Sequence, residues 1–203
     1  GYAAIIDASN QIVLGRSSAD VKIPGSYLGI NGAYNTSSGY NLDISGNLQT
    51  TKDSIINTLT IGLGGGNIST NTAVGSGALT SNQPGGDNNT AVGYNTLFQN
   101  TSGYSNTSLG YATLSSNTTG SDNTAVGYAA SYSNTTGNSN TTCGVQTLYY
   151  NTSGYSNTSV GRKALYSNTS GNNNTSFGYQ SGFDLSGNSN FNTFLGTNST
   201  VDS

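Results

Sequence analysis

The chain has 203 residues, of which only 6% are charged, against ~25% in ordinary globular domains. Its eight acids are all Asp, it has no His, Met or Trp, and its formal net charge is −3. General acid–base chemistry usually recruits His or Glu, so most familiar catalytic constellations are excluded. The cations Arg16, Lys22, Lys52, Arg162 and Lys163 are too few and too scattered to neutralise a phosphate backbone. No apolar run approaches the ~20 residues of a membrane-spanning helix. The reading is therefore of a chain that is not an enzyme, needs no cofactor or metal, binds no nucleic acid and does not insert into membranes. It opens at Gly1 with no initiator Met and no signal-like apolar segment, as expected of a processed product or a fragment.

Residues 1–65 suggest a β-rich shaft or collar. The stretch from Ile5 to Gly15 reads as two strands joined by an Asp/Asn-containing turn. Short alternating segments follow at Val21–Gly25, Leu42–Leu48 and Leu59–Leu63, separated by Gly, Ser and Asn turns and showing no second period. Gly62 to Thr70 forms the junction, where glycine permits close approach of chains. No Lys-Ser/Thr follows Gly62–Gly66, so this is not a phosphate loop.

Residues 66–203 carry a repeat of seventeen residues. Each unit opens with Asn-Thr, and its Asn falls at Asn71, Asn89, Asn106, Asn123, Asn140, Asn157, Asn174 and Asn192. A period this short means that each unit is one coil of a stack and cannot fold alone. Disorder would be the other reading of so much Gly, Ser, Asn and Thr, but low-complexity tracts rarely hold apolar residues in register. Here the fourth place holds Val74, Val92, Leu109, Val126, Cys143, Val160, Phe177 and Leu195. A glycine follows each: Gly75, Gly93, Gly110, Gly127, Gly144, Gly161, Gly178 and Gly196. The ninth place holds Leu79, Leu97, Leu114, Leu148 and Leu165, with Ser131 and Gly182 as exceptions. We read both apolar places as the repeat core.

Each unit then predicts two short strands and two corners. Asn-Thr-x-apolar is one strand, and the corner glycine permits a tight bend or positive φ. The second strand is expected around Tyr94–Phe98 or Arg162–Tyr166. Asn-Thr-Ser/Thr-Gly closes the coil, with Asn capping its own turn and Gly taking positive φ. No helix fits. The predicted fold class is all-β: a parallel β-roll or β-solenoid in which identical places form ladders of Asn, Thr, Val and Leu. About seven and a half coils at ~4.8 Å make a rod of roughly 36 Å. Each coil buries few large side chains against the entropy of seventeen ordered residues, so a lone roll would be marginal and self-association is expected. Aromatic residues at the sixth place (Tyr94, Tyr111, Tyr128, Tyr179) and the tenth (Phe98, Tyr132, Tyr149, Tyr166, Phe183) are the candidates for ligand or inter-chain contact.

The units from Asn89 to Gly103 and from Asn157 to Gly171, led in by Ile61–Gly75, resemble repeats of virus and bacteriophage tail-fibre proteins. They are also similar, at a longer period, to head repeats of trimeric autotransporter adhesins. The resemblance covers residues 61 to 200 well and the first sixty only in style. It implies a homotrimeric left-handed β-roll on a virion-surface or extracellular fibre, whose partners are itself, other fibre or virion proteins, and a host-surface glycan or receptor. Such fibres often carry a C-terminal self-cleaving chaperone domain; the chain stops at Val201-Asp-Ser, so that domain is expected to be removed or never present.

Three function classes stay open at this stage. The first is an attachment fibre using Tyr rings and Asn/Thr side chains against glycans. The second is a structural spacer with no ligand site of its own. The third is an ice-binding solenoid, which would need a flat Thr-x-Thr array free of bulky Tyr. An enzyme would need Asp pairs across a trimer interface. The Asn-x-Ser/Thr sequons, among them Asn35, Asn67, Asn100, Asn117, Asn134, Asn151 and Asn168, follow the repeat and read as turn chemistry rather than glycosylation sites. Cys143 reads as a small core residue. Asp87, Asp122 and Asp184 are too sparse for a calcium-binding solenoid, and Arg162–Lys163 reads as a solvated pair.

Overall fold

The computed structural model describes residues 61–185 and 187–200 in full, and the backbone of four short strand segments before them. The chain divides into two compact units, Gly1–Leu48 and Gln49–Ser203. In the first, β1 (Ile5–Ile6) pairs antiparallel with β2 (Ile12–Val13), Ile5 opposite Val13 and Ile6 opposite Ile12, which is the two-stranded pairing expected there. The predicted segments Val21–Gly25 and Leu42–Leu48 lie outside the described residues, as does most of the 1–65 shaft.

The second unit is an all-β solenoid of about seventeen residues per coil. It begins with a hairpin, β3 (Ser54–Ile56) against β4 (Leu59–Gly62). A 3-10 turn at Gly65–Asn67 follows. Each coil then contributes one three-residue strand: β5 (Thr72–Val74), β6 (Thr90–Val92), β7 (Thr107–Leu109), β8 (Thr124–Val126), β9 (Thr141–Cys143), β10 (Thr158–Val160), β11 (Thr175–Phe177) and β12 (Thr193–Leu195). These lie in one ten-stranded sheet in chain order from β3 to β12. β4 meets β5 antiparallel, with Ile61 opposite Val74. Every later pair is parallel and in register, Thr on Thr, as in Thr107 on Thr124.

A strand's side chains alternate between faces, and this decides what lies inside. Thr at the second place points out, the third place points in, and the fourth points out again. The third-place residues Ala73, Ala91, Ser108, Ala125, Thr142, Ser159, Ser176 and Phe194 are all buried. The fourth-place residues are not core, contrary to the sequence expectation. Leu109, Phe177 and Leu195 are 46%, 42% and 79% exposed, Cys143 is exposed, and Val74, Val92, Val126 and Val160 are half-buried. Apart from Phe194 in the last coil, the strand sends only Ala, Ser or Thr into the interior, and alternation leaves the larger fourth-place side chain outside.

The ninth-place leucines do form the core. Leu79, Leu97, Leu114, Leu148 and Leu165 are fully buried. They lie in turns, however, and the second strand expected around them is absent. The ninth place takes φ near +50° in all five, as does the seventh in Asn95, Ala112 and Ala129. Left-handed backbone at two places out of three breaks the strand twist. Hydrogen bonds between coils hold it: Leu97 N–H donates to Thr113 O at 3.1 Å and Ala112 N–H to Tyr94 O at 2.8 Å. Both sequence exceptions have local causes. A Cβ on Gly182 would lie 2.8 Å from Leu165 Cδ2 and from Phe194 Cδ2, because Phe194 already fills that space. Ser131 donates to Thr142 Oγ1 at 3.1 Å and separates two apolar clusters, one around Leu79, Leu97 and Leu114, the other around Leu148, Leu165, Leu185 and Phe194.

Two buried Asn ladders complete the interior. At the first place, Asn106, Asn123, Asn140, Asn157 and Asn174 each donate Nδ2–H to Oδ1 of the Asn one coil earlier, at 3.0 to 3.2 Å. At the twelfth, Asn100, Asn117, Asn134, Asn151 and Asn168 do the same at 2.7 to 3.0 Å. Each twelfth-place Asn also caps its own turn, as Asn117 Nδ2–H does on Gly120 O at 2.9 Å. The next coil has Leu185 at that place, and Asn168 Oδ1 is left buried without a partner.

The corner glycines behave as expected, with φ between 107° and 141° from Gly75 to Gly196. The closing glycines differ from expectation. Gly103, Gly120, Gly137, Gly154 and Gly171 do not take positive φ; the left-handed residue is two places on, at Ser105, Asp122, Ser139, Ser156 and Asn173. Glycine is needed there for space, since a Cβ on Gly120 would lie 2.4 Å from Gly137 O.

Candidate functional site

Coils stacked in register place each exposed aromatic residue directly over its counterpart. Where consecutive coils carry a ring at the same place, a ladder forms. At the sixth place, Tyr94 stacks on Tyr111 at 5.3 Å and 17°, and Tyr111 on Tyr128 at 5.0 Å and 5°. All three are about half exposed. Tyr179, grouped with them in the sequence reading, is not brought to this ladder, because Val145 and Arg162 occupy the two intervening coils. Arg162 donates from Nη1 to Tyr179 Oη at 3.1 Å, and its guanidinium lies 5.6 Å from the ring centre.

The tenth place forms a second ladder. Tyr132 stacks on Tyr149 at 5.2 Å and 6°, Tyr149 on Tyr166 at 5.5 Å and 22°, and Tyr166 on Phe183 at 5.1 Å and 3°. Tyr150 packs edge-on against Tyr149 and Tyr166. Lys163 Nζ sits 5.0 Å from the Tyr166 ring and 5.9 Å from Phe183. The basic pair is thus held on aromatic faces rather than freely solvated. Phe98 shares the tenth place but is cut off from this ladder by Ser115 in the coil between.

The two ladders overlap at the coil that carries both Tyr128 and Tyr132. There they form the walls of a groove of about 280 Å³, with Tyr111 and Tyr128 on one side and Tyr132 and Tyr149 on the other. Ala112, Ala129 and Ser115 line it between the walls, and Asn95 and Gln146 stand towards its ends. The seventh place is larger in the other later coils, as Gln146, Lys163 and Gln180, so the groove deepens where that place is Ala.

The sequence reading named the rings of both the sixth and the tenth place but missed the groove between them. The signal was present as departures from the repeat: Ala112, Ala129 and Ser115 are small where their counterparts are large. What cannot be read from spacing is that the two ladders face each other across the seventh place.

No charged residue lines the groove. Its chemistry is that of phenol, amide and alcohol groups around aromatic faces, with both hydrogen-bond donors and acceptors. Burial raises the Tyr149 hydroxyl above its ordinary pKa, and the neighbouring Tyr132, Tyr150 and Tyr128 add to this. Tyr166 is raised by burial and by its hydrogen bond with Tyr150. Among the described residues there is no group of three His, Cys, Asp or Glu that could hold a metal ion, and no helix is long and apolar enough to cross a membrane. Comparison with family models, with curated proteins and with solved structures found no match to this chain.

Proposed function

We propose that this chain is a structural fibre subunit of the tail-fibre or surface-adhesin kind, assembling as a homotrimer and mediating attachment to a host cell surface. Its place would be a virion surface or an extracellular fibre, with other fibre or virion proteins as neighbours. One observation carries the reading. The solenoid displays two outward-facing rows along one stack: the apolar fourth-place row from Val74 to Leu195, half-buried at its valines and exposed at Leu109, Cys143, Phe177 and Leu195, and the Tyr row from Tyr94 to Tyr128. An apolar stripe of this length on a soluble chain calls for a partner surface, and identical chains in closed symmetry supply one economically. We assign the fourth-place stripe to self-association and the Tyr-lined face to the host-surface glycan or receptor.

Sedimentation equilibrium tests the assembly: a mass three times 20.6 kDa supports it, and a single-chain mass overturns it. Binding of the assembled protein to intact cells tests attachment. Saturable binding lost in a variant with Tyr94, Tyr111 and Tyr128 changed to Ser supports the reading. A folded trimer that binds no cells leaves a spacer. The outward Thr row from Thr72 to Thr193 runs beside Val, Leu, Cys and Phe rather than a second Thr row. That supports the fibre reading over an ice-binding face.

A further inference from the structure

The tenth-place ladder lacks one rung. Phe98 occupies the place in the coil of Asn89, and rings from Tyr132 to Phe183 occupy it in four consecutive coils, but the coil of Asn106 has Ser115. Tyr132 has one face covered by Tyr149 at 5.2 Å. Its other face is turned toward the coil below, where no ring stands, and the cavity opens at that point, lined by both Ser115 and Tyr132. A ring inserted there would meet Tyr132 as Tyr149 does, about one coil spacing away. The ~280 Å³ belongs to the whole groove from Asn95 to Gln146, close to the lower end of ordinary ligand pockets, and the missing rung leaves room for one ring within it.

We propose that this slot binds one uncharged pyranose residue of a glycan, its C–H face stacked on Tyr132 and its hydroxyls directed at the neutral groups around it. The aromatic face is electron-rich and attracts the weakly positive C–H face of a sugar ring. The surrounding residues include Tyr111 and Tyr128 with their phenols, Asn95 and Gln146 with their amides and Ser115 with its hydroxyl, all neutral groups able to donate or accept to a sugar's hydroxyls. No cation lines the slot to pair with a sulfated or carboxylated sugar, and the nearest aromatic-bound cation in the ladder, Lys163, lies on Tyr166 and Phe183. This deepens the attachment reading above and rests on it for the source of the glycan.

The experiment titrates the assembled protein with neutral methyl hexopyranosides and with short neutral oligosaccharides, reading tyrosine fluorescence. Three forms are compared: the native chain, Ser115→Tyr, which supplies the missing rung with a residue three later coils already accept there, and Thr119→Tyr as a control at an exposed place of the same coil that does not line the groove. Saturable binding by the native chain and the control, weakened at least tenfold by Ser115→Tyr with mass and circular dichroism unchanged, supports the slot. Equal binding by Ser115→Tyr overturns it, as does no saturation with any neutral sugar. Preference for a sulfated or sialylated sugar overturns the ligand class. Cell attachment is measured separately: sugar binding without attachment refutes the attachment reading and leaves the slot standing, whereas attachment unchanged in Ser115→Tyr places recognition on another surface and overturns the slot's role in it.

Discussion

The Asn123 backbone N–H and its side-chain Nδ2–H both donate to one oxygen, Asn106 Oδ1, at 3.0 and 3.1 Å. The same Nδ2 also reaches Gly137 O at 2.9 Å. Gly137 belongs to Asn123's own coil, and Asn123 Oδ1 in turn accepts from the N–H and Nδ2–H of Asn140 in the next at 3.0 and 3.2 Å, so one side chain ties three coils together.

Asn123→Asp tests that arrangement. The new carboxylate would face Asn106 Oδ1 and Gly137 O, two acceptors, inside a buried site. We expect a loss of about 3 kcal/mol or more, the sum of two lost bonds and an unpaired buried acceptor. Protonation lets the acid donate, so its folded pKa would lie above the unfolded value. The native state then holds the extra proton, and the variant's stability falls as pH rises through the folded pKa. Denaturant midpoints across acid to neutral pH check both the size and the sign.

Corner and open glycines should respond differently to the same change. A Cβ on Gly127, at φ 134°, would lie 2.4 Å from Gly144 O, so Gly127→Ala should cost on the order of 3 kcal/mol. Gly187, at φ 66°, has nothing within 4 Å of the added carbon, and Gly187→Ala should cost about 1–2 kcal/mol. Paired thermal melts are sufficient to rank them.

Inner and outer apolar places separate in the same way. Leu148→Ala removes a fully buried side chain from the cluster with Leu165 and Phe194 and should cost about 2–5 kcal/mol. Leu109→Ala, at a place 46% exposed, should change the fold of one chain by less than about 1 kcal/mol. Its effect should appear instead in the concentration dependence of assembly. Val126→Asp, which the sequence alone would place in the core, is expected to act in that second way too.

Cys143 reports on the outer stripe directly. Its thiol is exposed in the chain, and self-association through the fourth place would cover it. Thiol labelling should be fast in a denatured or dissociated sample and at least tenfold slower in the assembled one. Equal rates would place the contact on another face.

Alkaline pH should loosen the tenth-place ladder. Tyr149 and Tyr166 both hold their protons more tightly folded than free. Folded pKa values above the unfolded ~10 mean that their contribution is whole below pH ~10 and is lost as pH rises through the folded values. Tyrosinate absorbance of the native chain should show a late-titrating component that is reduced in Tyr149→Phe and Tyr166→Phe variants and lost after unfolding.

The period, the parallel stacking, the Asn ladders and the leucine core were legible because each depends on the sequence placing like residues at like places. Two things were not. Val126 looks like core by composition, but Asn123 and Ala125 already occupy the inward positions, and strand alternation forces it out. Leu114 looks like strand, but the ninth place takes φ near +50° whether it holds Leu114 or Ser131 (49°), so the turn belongs to the coil and not to the leucine. The groove was hidden for a related reason. A repeat draws the eye to what recurs, whereas the site is made where Ala112, Ala129 and Ser115 break the pattern.

The unpartnered Asn168 oxygen shows that each ladder runs one way. Every rung donates toward the N-terminal coil and presents its carbonyl toward the C-terminal one, so the side-chain amide dipoles add rather than cancel, and each bond polarises the next. The solenoid interior thus has an electrical sense of direction, with oxygen at its C-terminal end. Leu185 ends the twelfth-place row beyond Asn168, and a residue continuing it there would have to carry a donor, which makes the two ends of the row chemically inequivalent despite their near-identical repeats.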